Sequence, residues 1–279
     1  MGMQINTNLA ANNAYRNLNN TQNDLSKSLE KLSSGLRINR ASDDAAGLAL
    51  SEGLRSQVGG LTVAARNAQD GIGVVQTAEG GLNEVHSILQ RMRDLAVQAG
   101  NDSNNTDSRA AITTEATALT SELTRIAGST DFNGAKLLNG TAGSASDGKM
   151  SFQVGANTGD QIVVDLASAN VSNVVTAMGT LDFSTATGAA SAIGSIDTAI
   201  KSVSSARSEL GAVQNRFEHT IKNINVSKEN LSASESRIRD TDMAEEMVKY
   251  TKNNILSQAG TAMLAQANQS SQGVLQLLR

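Results

Sequence analysis

The sequence predicts a mainly α protein, a long antiparallel helical bundle or coiled-coil rod with a small β-hairpin region. Three observations predict it. The 279 residues contain no proline, where ordinary usage of about 5% would give roughly fourteen. The proline ring removes a backbone donor and clashes with the preceding helical turn, so its absence favours long, unbroken helices. Apolar residues recur at seven-residue intervals along two long stretches, the period of helices packed lengthwise. Aromatic residues make up 2% of the chain, two Tyr and four Phe with no Trp, so the core is built from Leu, Ile, Val and Ala rather than around large flat rings.

In chain order, Tyr15, Leu18, Gln22, Leu25, Leu29, Leu32 and Leu36 share one seam when stepped alternately by three and four residues, which predicts a first helix packed along another. Leu54, Leu61, Ala68, Val75, Leu82, Leu89 and Ala96 lie seven apart, with Val58, Ala65 and Ile72 in the rows between; they predict a second, long helix. "GNDSNNTDS" (100–108) is a run of turn formers ending on Ser108 as N-cap. A shorter helix follows with Ile112, Ala116, Leu119, Leu123 and Ile126 on its face, and the loop is long enough to fold it back antiparallel.

From Ser129 to about Ala190 the texture changes to Gly, Ser, Thr and Asn. Within it "KMSFQVGANTGDQIVVDL" (149–166) alternates on both sides of "GANTG" and predicts a hairpin with a loop longer than two residues, the one strand pairing the pattern supports. Residues 166–191 leave a short helix and a loop open. Ile196, Val203, Leu210, Phe217, Ile224, Leu231 and Ile238 again lie seven apart, and a helix over that span measures roughly 65 Å at about 1.5 Å per residue. A last helix from about Asp242 carries Leu256, Met263, Ala267, Val274 and Leu277 on one stripe, with Ile255, Ala259 and Ala262 beside it. The two terminal stretches hold too few apolar residues to form a core alone, so each needs a partner.

The chain carries no cysteine, which excludes a disulfide framework, a thiolate nucleophile and a cysteine-ligated metal. His86 and His219 are its two histidines and sit on different long helices without an H-x-x-x-H spacing, so neither a metal nor another cofactor is expected. Net charge is −4 with both signs dispersed; a phosphate backbone needs a basic stripe, and nucleic acid is not an expected partner. "MGMQINTNLAANNAY" has neither a basic n-region nor an apolar run of signal-peptide length. No stretch approaches the roughly 20 apolar residues of a membrane span. Export without a cleaved signal peptide and no membrane insertion are therefore expected.

"LSSGLRINRASDDAAGLALSEGLR" (32–55) gathers Arg37, Arg40, Asp43, Asp44, Glu52 and Arg55 among small residues. An acid and base pair needs a pocket, and no aromatic or histidine lies nearby to shape one. "SDDAAG" instead reads as a helix N-terminus capped by Ser42 or Asp43, and Gly35 as the break before it, so the stretch is a joint between two rods. "GIGVVQTAEGG" (71–81) lacks the Lys-Ser or Lys-Thr pair of a phosphate loop; its glycines permit close helix packing. "LQRMRDLAVQAG" (89–100) sets Arg91 and Leu95 on one helix face and Arg93 on another, the pattern of a solvated face with ion pairs.

Six segments together resemble one family. "MQINTNLAANNAYRNL", "LEKLSSGLRINRASDDAAGLALSEGLRSQ", "RNAQDGIGVVQTAEGGLNEVHSILQRMRDLAVQA", "DFNGAKLL", "RSELGAVQNRFEHTI" and "ILSQAGTAMLAQANQSSQGVLQLLR" are similar to the terminal regions of bacterial flagellin, the subunit of the flagellar filament. The likeness covers about residues 1–166 and 193–279, and the large outer portion of many flagellins is missing between them.

The resemblance implies a domain plan. Residues 1–42 and 240–279 would form an inner coiled pair that orders on assembly, its polymerisation seam made of Leu18, Leu25, Leu29, Leu32, Leu36, Leu256, Met263, Ala267, Val274 and Leu277. Residues 43–239 would form a rod domain, with helices in 43–128, a hairpin and loop region in 129–192 and a long helix in 193–239. Its core would hold Leu54, Leu61, Val75, Leu82, Leu89, Val203, Leu210, Phe217, Ile224 and Leu231. Arg37, Asn39, Arg40, Asp43 and Asp44 would be the spoke that contacts neighbouring subunits.

The resemblance also implies a structural function without enzymatic chemistry: self-assembly into the helical, hollow extracellular filament used for swimming. Implied partners are other copies of the chain, the flagellar export apparatus, an export chaperone on the C-terminal helix, the filament cap and the hook-associated junction proteins. Gln90, Arg91, Arg93 and Leu95, with Glu115 on the adjacent helix, match the segment through which a Toll-like receptor of animal hosts recognises flagellins, with Met92 and Asp94 departing from its commonest form. A hook-associated junction protein shares the terminal architecture and is the alternative reading. A membrane-active amphipathic protein would need basic faces with aromatic anchors, and an inserted enzyme more than the residues between 167 and 192.

Overall fold

The structure, a computed structural model, describes residues 8–277, with side chains through residue 269. In chain order the elements are α1 (Leu9–Ser34), α2 (Ala45–Ala99), α3 (Thr106–Ser129), β1 (Asp131–Phe132), β2 (Ala135–Lys136), β3 (Lys149–Gln153), β4 (Gln161–Asp165), α4 (Val171–Met178), α5 (Ala186–Arg239) and α6 (Met243–Leu277). They divide into two compact units: the residues up to Ser56 together with those from Asn230 on, and Gln57–Glu229. The sequence places the joints at 42/43 and 239/240. The unit boundaries fall instead inside α2 and α5, because hydrogen bonds described below tie residues 35–52 to residues 238–241.

In the 57–229 unit α2 and α5 run antiparallel. Gly71 lies against Phe217, Glu79 pairs with Arg207 at 3.7 Å, and Arg93 pairs with Asp197 at 2.7 Å, so partners ascend on one helix as they descend on the other. The seven-residue seams form the interior: Ala68, Val75, Leu82, Leu89 and Ala96 of α2 and Ile196, Val203, Leu210, Phe217 and Ile224 of α5 are buried. Leu54, Leu61 and Leu231, expected in the same core, are only half-buried; Leu54 and Leu231 fall in the other unit. Gly71 is required by close approach. A Cβ there would sit 2.6 Å from Cζ of Phe217, too near for any real carbon contact.

Ile112, Ala116, Leu123 and Ile126 of α3 join this core. The α3 N-cap is Asn105, whose side chain accepts from the Ser108 N–H at 2.8 Å, rather than Ser108; asparagine reaches the free N–H three residues on and starts the helix earlier. The β3–β4 hairpin forms as expected, with Lys149 opposite Asp165 and Gln153 opposite Gln161. Ile162 and Val164 point inward while Gln161, Val163 and Asp165 face out. Phe152 meets Phe217 edge to face at 5.7 Å between ring centroids, and Asn67 donates to the Gln153 carbonyl at 3.0 Å.

A second antiparallel pair, β1–β2, closes through Asn133 and Gly134, both at positive φ (50° and 81°). Two-residue strands have no alternation to read, so this pairing left no periodic signal. Residues 171–178 resolve the open stretch as α4, capped by Asn170. The helix expected from 193 begins at Ala186, since Ala189 and Ala192 are small enough to be buried in the core without an apolar stripe.

Candidate assembly surfaces

The first surface is the joint. Gly35 ends α1 in the left-handed region (φ 72°), its N–H donating to the Lys31 carbonyl at 2.8 Å. Leu36 thereby leaves the helical seam and makes an isolated antiparallel bridge with Asp240. The Arg37 N–H donates to the Arg239 carbonyl at 2.6 Å and the Thr241 N–H to the Gly35 carbonyl at 3.0 Å. The Arg37 guanidinium donates to the Ile238 carbonyl at 2.6 and 3.2 Å, a cation at the negative end of α5. Arg239 reaches Glu52 at 2.6 Å and Arg40 reaches Glu30 at 2.9 Å. Ile38 is buried beneath these charges. These pairs hold the chain in place, with the buried Arg239 Nε left without a partner.

Asp43 and Asp44 divide their work. Asp44, not Ser42 or Asp43, caps α2: its Oδ1 accepts from the Gly47 N–H at 2.8 Å and its carbonyl from Leu48 at 2.9 Å. Asp43 turns back, accepting from the Arg40 N–H at 3.0 Å and the Asn39 N–H at 3.2 Å. Those donors, Arg40 first, hold its carboxyl below the ordinary aspartate range. A group depressed on folding contributes stability at pH above its unfolded value and loses it as pH falls through the folded one. A carbon-detected NMR titration is expected to give Asp43 a midpoint below the ordinary 3.8; a midpoint at or above it would mean the turn is open in solution.

The second surface lies on α1 and α6. They run antiparallel, with the Asn8 amide donating to the Ala267 carbonyl at 2.9 Å and Gly260 against Leu18. Leu18 and Ser28 are the buried residues of α1, Leu25 and Leu32 are half-buried, and Tyr15 and Leu29 are exposed. On α6 several large apolar side chains are left exposed. Its buried or half-buried residues are Glu246, Tyr250, Asn253, Asn254, Ser257, Gly260, Leu264 and Ala267. Among its exposed residues are the large apolar Met243, Met247, Val248, Ile255, Leu256 and Met263, alongside exposed Glu245, Lys249, Lys252 and Gln258. Met247, Val248, Ile255 and Leu256 line one shallow hollow together with Thr251 and Lys252, and Leu256 and Met263 flank another against Leu18, Asn17 and Thr21.

The third surface is the charged face of α2. Arg91 pairs with Glu115 of α3 at 2.7 Å, and Arg93 with Asp197 of α5 at 2.7 Å, which raises the Arg93 pKa. The Gln90 amide lies 2.9 Å from Nε2 of His86. Leu95 is 2% exposed. Among the described residues no group of His, Cys, Asp or Glu is placed to hold a metal ion, and no helix is long and apolar enough to cross a membrane.

Two family models match the two helical ends: the bacterial flagellin N-terminal helical region over residues 5–143 and the bacterial flagellin C-terminal helical region over residues 193–278. The chain belongs to the bacterial flagellin family. This flagellin is 55% identical over 277 residues to a flagellin of Halalkalibacterium halodurans, covering 99% of this chain and all of that one. It is 50% identical over 305 residues to a flagellin of Bacillus subtilis, again covering 99% of this chain and all of the relative. Among solved structures, the crystal structure of Bacillus cereus flagellin matches with a TM-score of 0.51 at 31% identity, covering 57% of this chain and 88% of that one.

For this flagellin the structure brings Arg37, Asn39, Arg40, Asp43 and Asp44 into one joint, and Leu18, Leu256, Met263 and Ala267 onto or beside the α1–α6 contact. Leu29 is set apart on an exposed face, because Ser28, one residue earlier, occupies the inward position. Val274 and Leu277 lie outside the residues whose side chains are described. Of the proposed receptor residues, Gln90, Arg91, Arg93 and Glu115 are at the surface and Leu95 is in the core. Sequence reasoning missed the Glu52–Arg239 pair and the outward Met243, Met247 and Val248. The first carries no local signal; the others recur toward Ile255 at helical spacing and could have been found as a second stripe.

Proposed function

We propose that this flagellin joins other copies of itself head to tail in the helical, hollow extracellular filament of a bacterial flagellum, and that the unit containing both terminal helices is its polymerising part. The exposed large apolar side chains of α6 carry the reading. A single chain leaves Met247, Val248, Ile255 and Leu256 in water, and burial of apolar side chains against neighbours is worth about 25 cal/mol per Å². A heterologous contact that does not close on itself propagates as a helix of subunits. Ordering the terminal helices costs about 1–2 kcal/mol per residue in backbone entropy, which many neighbours offset and one chain does not. Residues 1–42 and 240–279 serve as the inner pair that orders on assembly and 43–239 as the rod. The exposed edges of Arg37, Arg40 and Asp43 are offered to adjacent copies.

Within the same reading, the chain leaves the cell through the flagellar export apparatus without a cleaved signal peptide, with a chaperone on the segment from Ile255 onward. It meets the filament cap and the hook-associated proteins at the filament ends and carries out no enzymatic chemistry. Near-complete alignment with flagellins favours the filament over the junction-protein alternative. Electron microscopy of purified protein seeded with filament fragments tests it: filaments from the full chain and none after removal of residues 1–42 and 240–279 are expected. Monodisperse particles from both would overturn it in favour of the junction protein.

Recognition by a Toll-like receptor of animal hosts is proposed through Gln90, Arg91, Arg93 and Glu115, with Leu95 fixing the helix from beneath. Arg91→Glu is expected to lower reporter-cell activation at least about tenfold, the effect of losing one interface hot spot. Arg91→Glu with Glu115→Arg restores an ion pair of opposite order and separates receptor contact from helix pairing. Undiminished activation by either variant would sink the assignment.

A further inference from the structure

The two edges of the β3–β4 hairpin differ. The Leu166 N–H donates to the Gly148 carbonyl at 2.8 Å and the Val154 N–H to the Asp160 carbonyl at 2.9 Å. With Lys149 opposite Asp165 and Gln153 opposite Gln161, the alternation of an antiparallel ladder directs the backbone groups of Met150, Phe152, Ile162 and Val164 at the other strand. Those of Lys149, Ser151, Gln153, Gln161, Val163 and Asp165 point away from it. The chain itself uses the outer edge of β3: the Lys149 N–H donates to Asp147 at 3.0 Å, and the Gln153 carbonyl accepts from Asn67. On β4 the Gln161 N–H is taken by the Gly159 carbonyl at 2.8 Å. Among the described residues no hydrogen bond reaches the N–H or the carbonyl of Val163 or Asp165. Open edges are usually blunted by a proline, a lysine on the strand or a bulge. β4 has none of these: its one charge, Asp165, is met by Lys149 at 3.7 Å, and Val163 is 46% exposed.

We propose that β4 pairs with β4 of a second copy, antiparallel about a two-fold axis through Val163, joining two hairpins into one four-stranded sheet. The strand is self-complementary in that register. Each Val163 faces its own counterpart, and their outward N–H and carbonyl groups exchange two hydrogen bonds. Gln161 faces Asp165 on both sides of the axis, where the Asp165 N–H donates to the Gln161 carbonyl. Gln161 Oε1 already accepts from the Ser151 hydroxyl at 2.7 Å, which leaves its Nε2 to donate to the Asp165 carboxylate of the other copy. A slip of two residues would instead set each Asp165 opposite a Val163, which offers it no donor. A two-fold contact closes after two copies, unlike an open head-to-tail contact, so the pairing does not rest on the filament reading. Five residues a side form a small interface, so the dimer is weak, with a dissociation constant on the order of 1 mM.

The chain has no cysteine, so one introduced cysteine is an unambiguous probe. The full chain with Val163→Cys, unseeded and mildly oxidised, is expected to form a disulfide-linked dimer. Opposite residues of a hydrogen-bonded pair stand about 5.5 Å apart at Cα, within the reach of a disulfide, about 4.4–6.8 Å. Gln161→Cys alone is not expected to cross-link, because a stagger of four residues separates the two copies of that position by about 14 Å. A mixture of Gln161→Cys and Asp165→Cys chains should cross-link one to the other. Val97→Cys, at a side chain 52% exposed on α2, measures random collision. Val163→Pro removes an outward N–H and no bond to β3. Its circular dichroism should be unchanged, and sedimentation equilibrium of concentrated unseeded protein should show dimerisation weakened at least about tenfold. Cross-linking of Val163→Cys no faster than that of Val97→Cys, or equal cross-linking of Gln161→Cys alone, overturns the pairing. So does undiminished dimerisation of a folded Val163→Pro chain; if that variant misfolds, the cysteine pattern decides.

Discussion

Phe217→Ala is expected to destabilise the 57–229 unit by about 3–5 kcal/mol, the usual cost of truncating a buried phenylalanine. In a chain with four Phe and no Trp, this ring has few substitutes. It is fully buried, meets Phe152 edge to face, and fills the space that Gly71 leaves on α2. Three elements, α2, α5 and the β3–β4 hairpin, therefore converge on one side chain. Gly71→Ala should cost about 1–3 kcal/mol by overpacking, and less than that in a Phe217→Leu background, where the ring atoms that crowd the new methyl are gone. Such non-additivity is the mark of direct contact. Urea unfolding followed by circular dichroism measures all three; additive losses, or a Phe217→Ala loss below about 1 kcal/mol, would contradict the packing.

Val248→Asp with Ile255→Asp is expected to leave folding almost unchanged and to raise the critical concentration for filament growth at least about a hundredfold. Both side chains are exposed in the monomer, and surface substitutions of this kind usually fall within about 0.5 kcal/mol. In a filament the same positions would carry carboxylates into an apolar contact, where an unpaired charge is strongly disfavoured. Sedimentation of seeded mixtures across a concentration series reads the effect. A wild-type critical concentration, with normal filaments, would move the polymerising face away from this side of α6.

The long helices were legible because burial between α2 and α5 repeats at a fixed interval: Val75, Leu82 and Leu89, and Val203, Leu210 and Phe217, are both the periodic residues and the buried ones. The β3–β4 hairpin was legible for the same reason at a period of two. Legibility failed where side-chain reach rather than pattern decides. Asn105 and Asp44 cap their helices because their oxygens reach N–H groups three residues on, and neighbouring Ser108 and Asp43 are of the same chemical type. It failed also on α1, where a serine, Ser28, is buried and Leu29 is exposed, inverting the hydrophobic rule by one position. The charges from Arg37 to Asp44 lie between α1 and α2, and their partners Ile238, Arg239 and Glu30 lie too far along the chain, or across a turn, for spacing to reveal them.

The hydrogen bond from Asn8 to Ala267 joins residues 259 apart, and Leu18 meets Gly260 at a separation almost as large. Contacts of such separation form late, since loop closure must precede them. A ribosome, or a channel that passes the chain in order, delivers α1 first and α6 last, with the whole 57–229 unit between. The terminal pair therefore cannot close on an incomplete chain. Sequence order acts as a clock: the α1–α6 pair closes only when the residues between its two helices have been made.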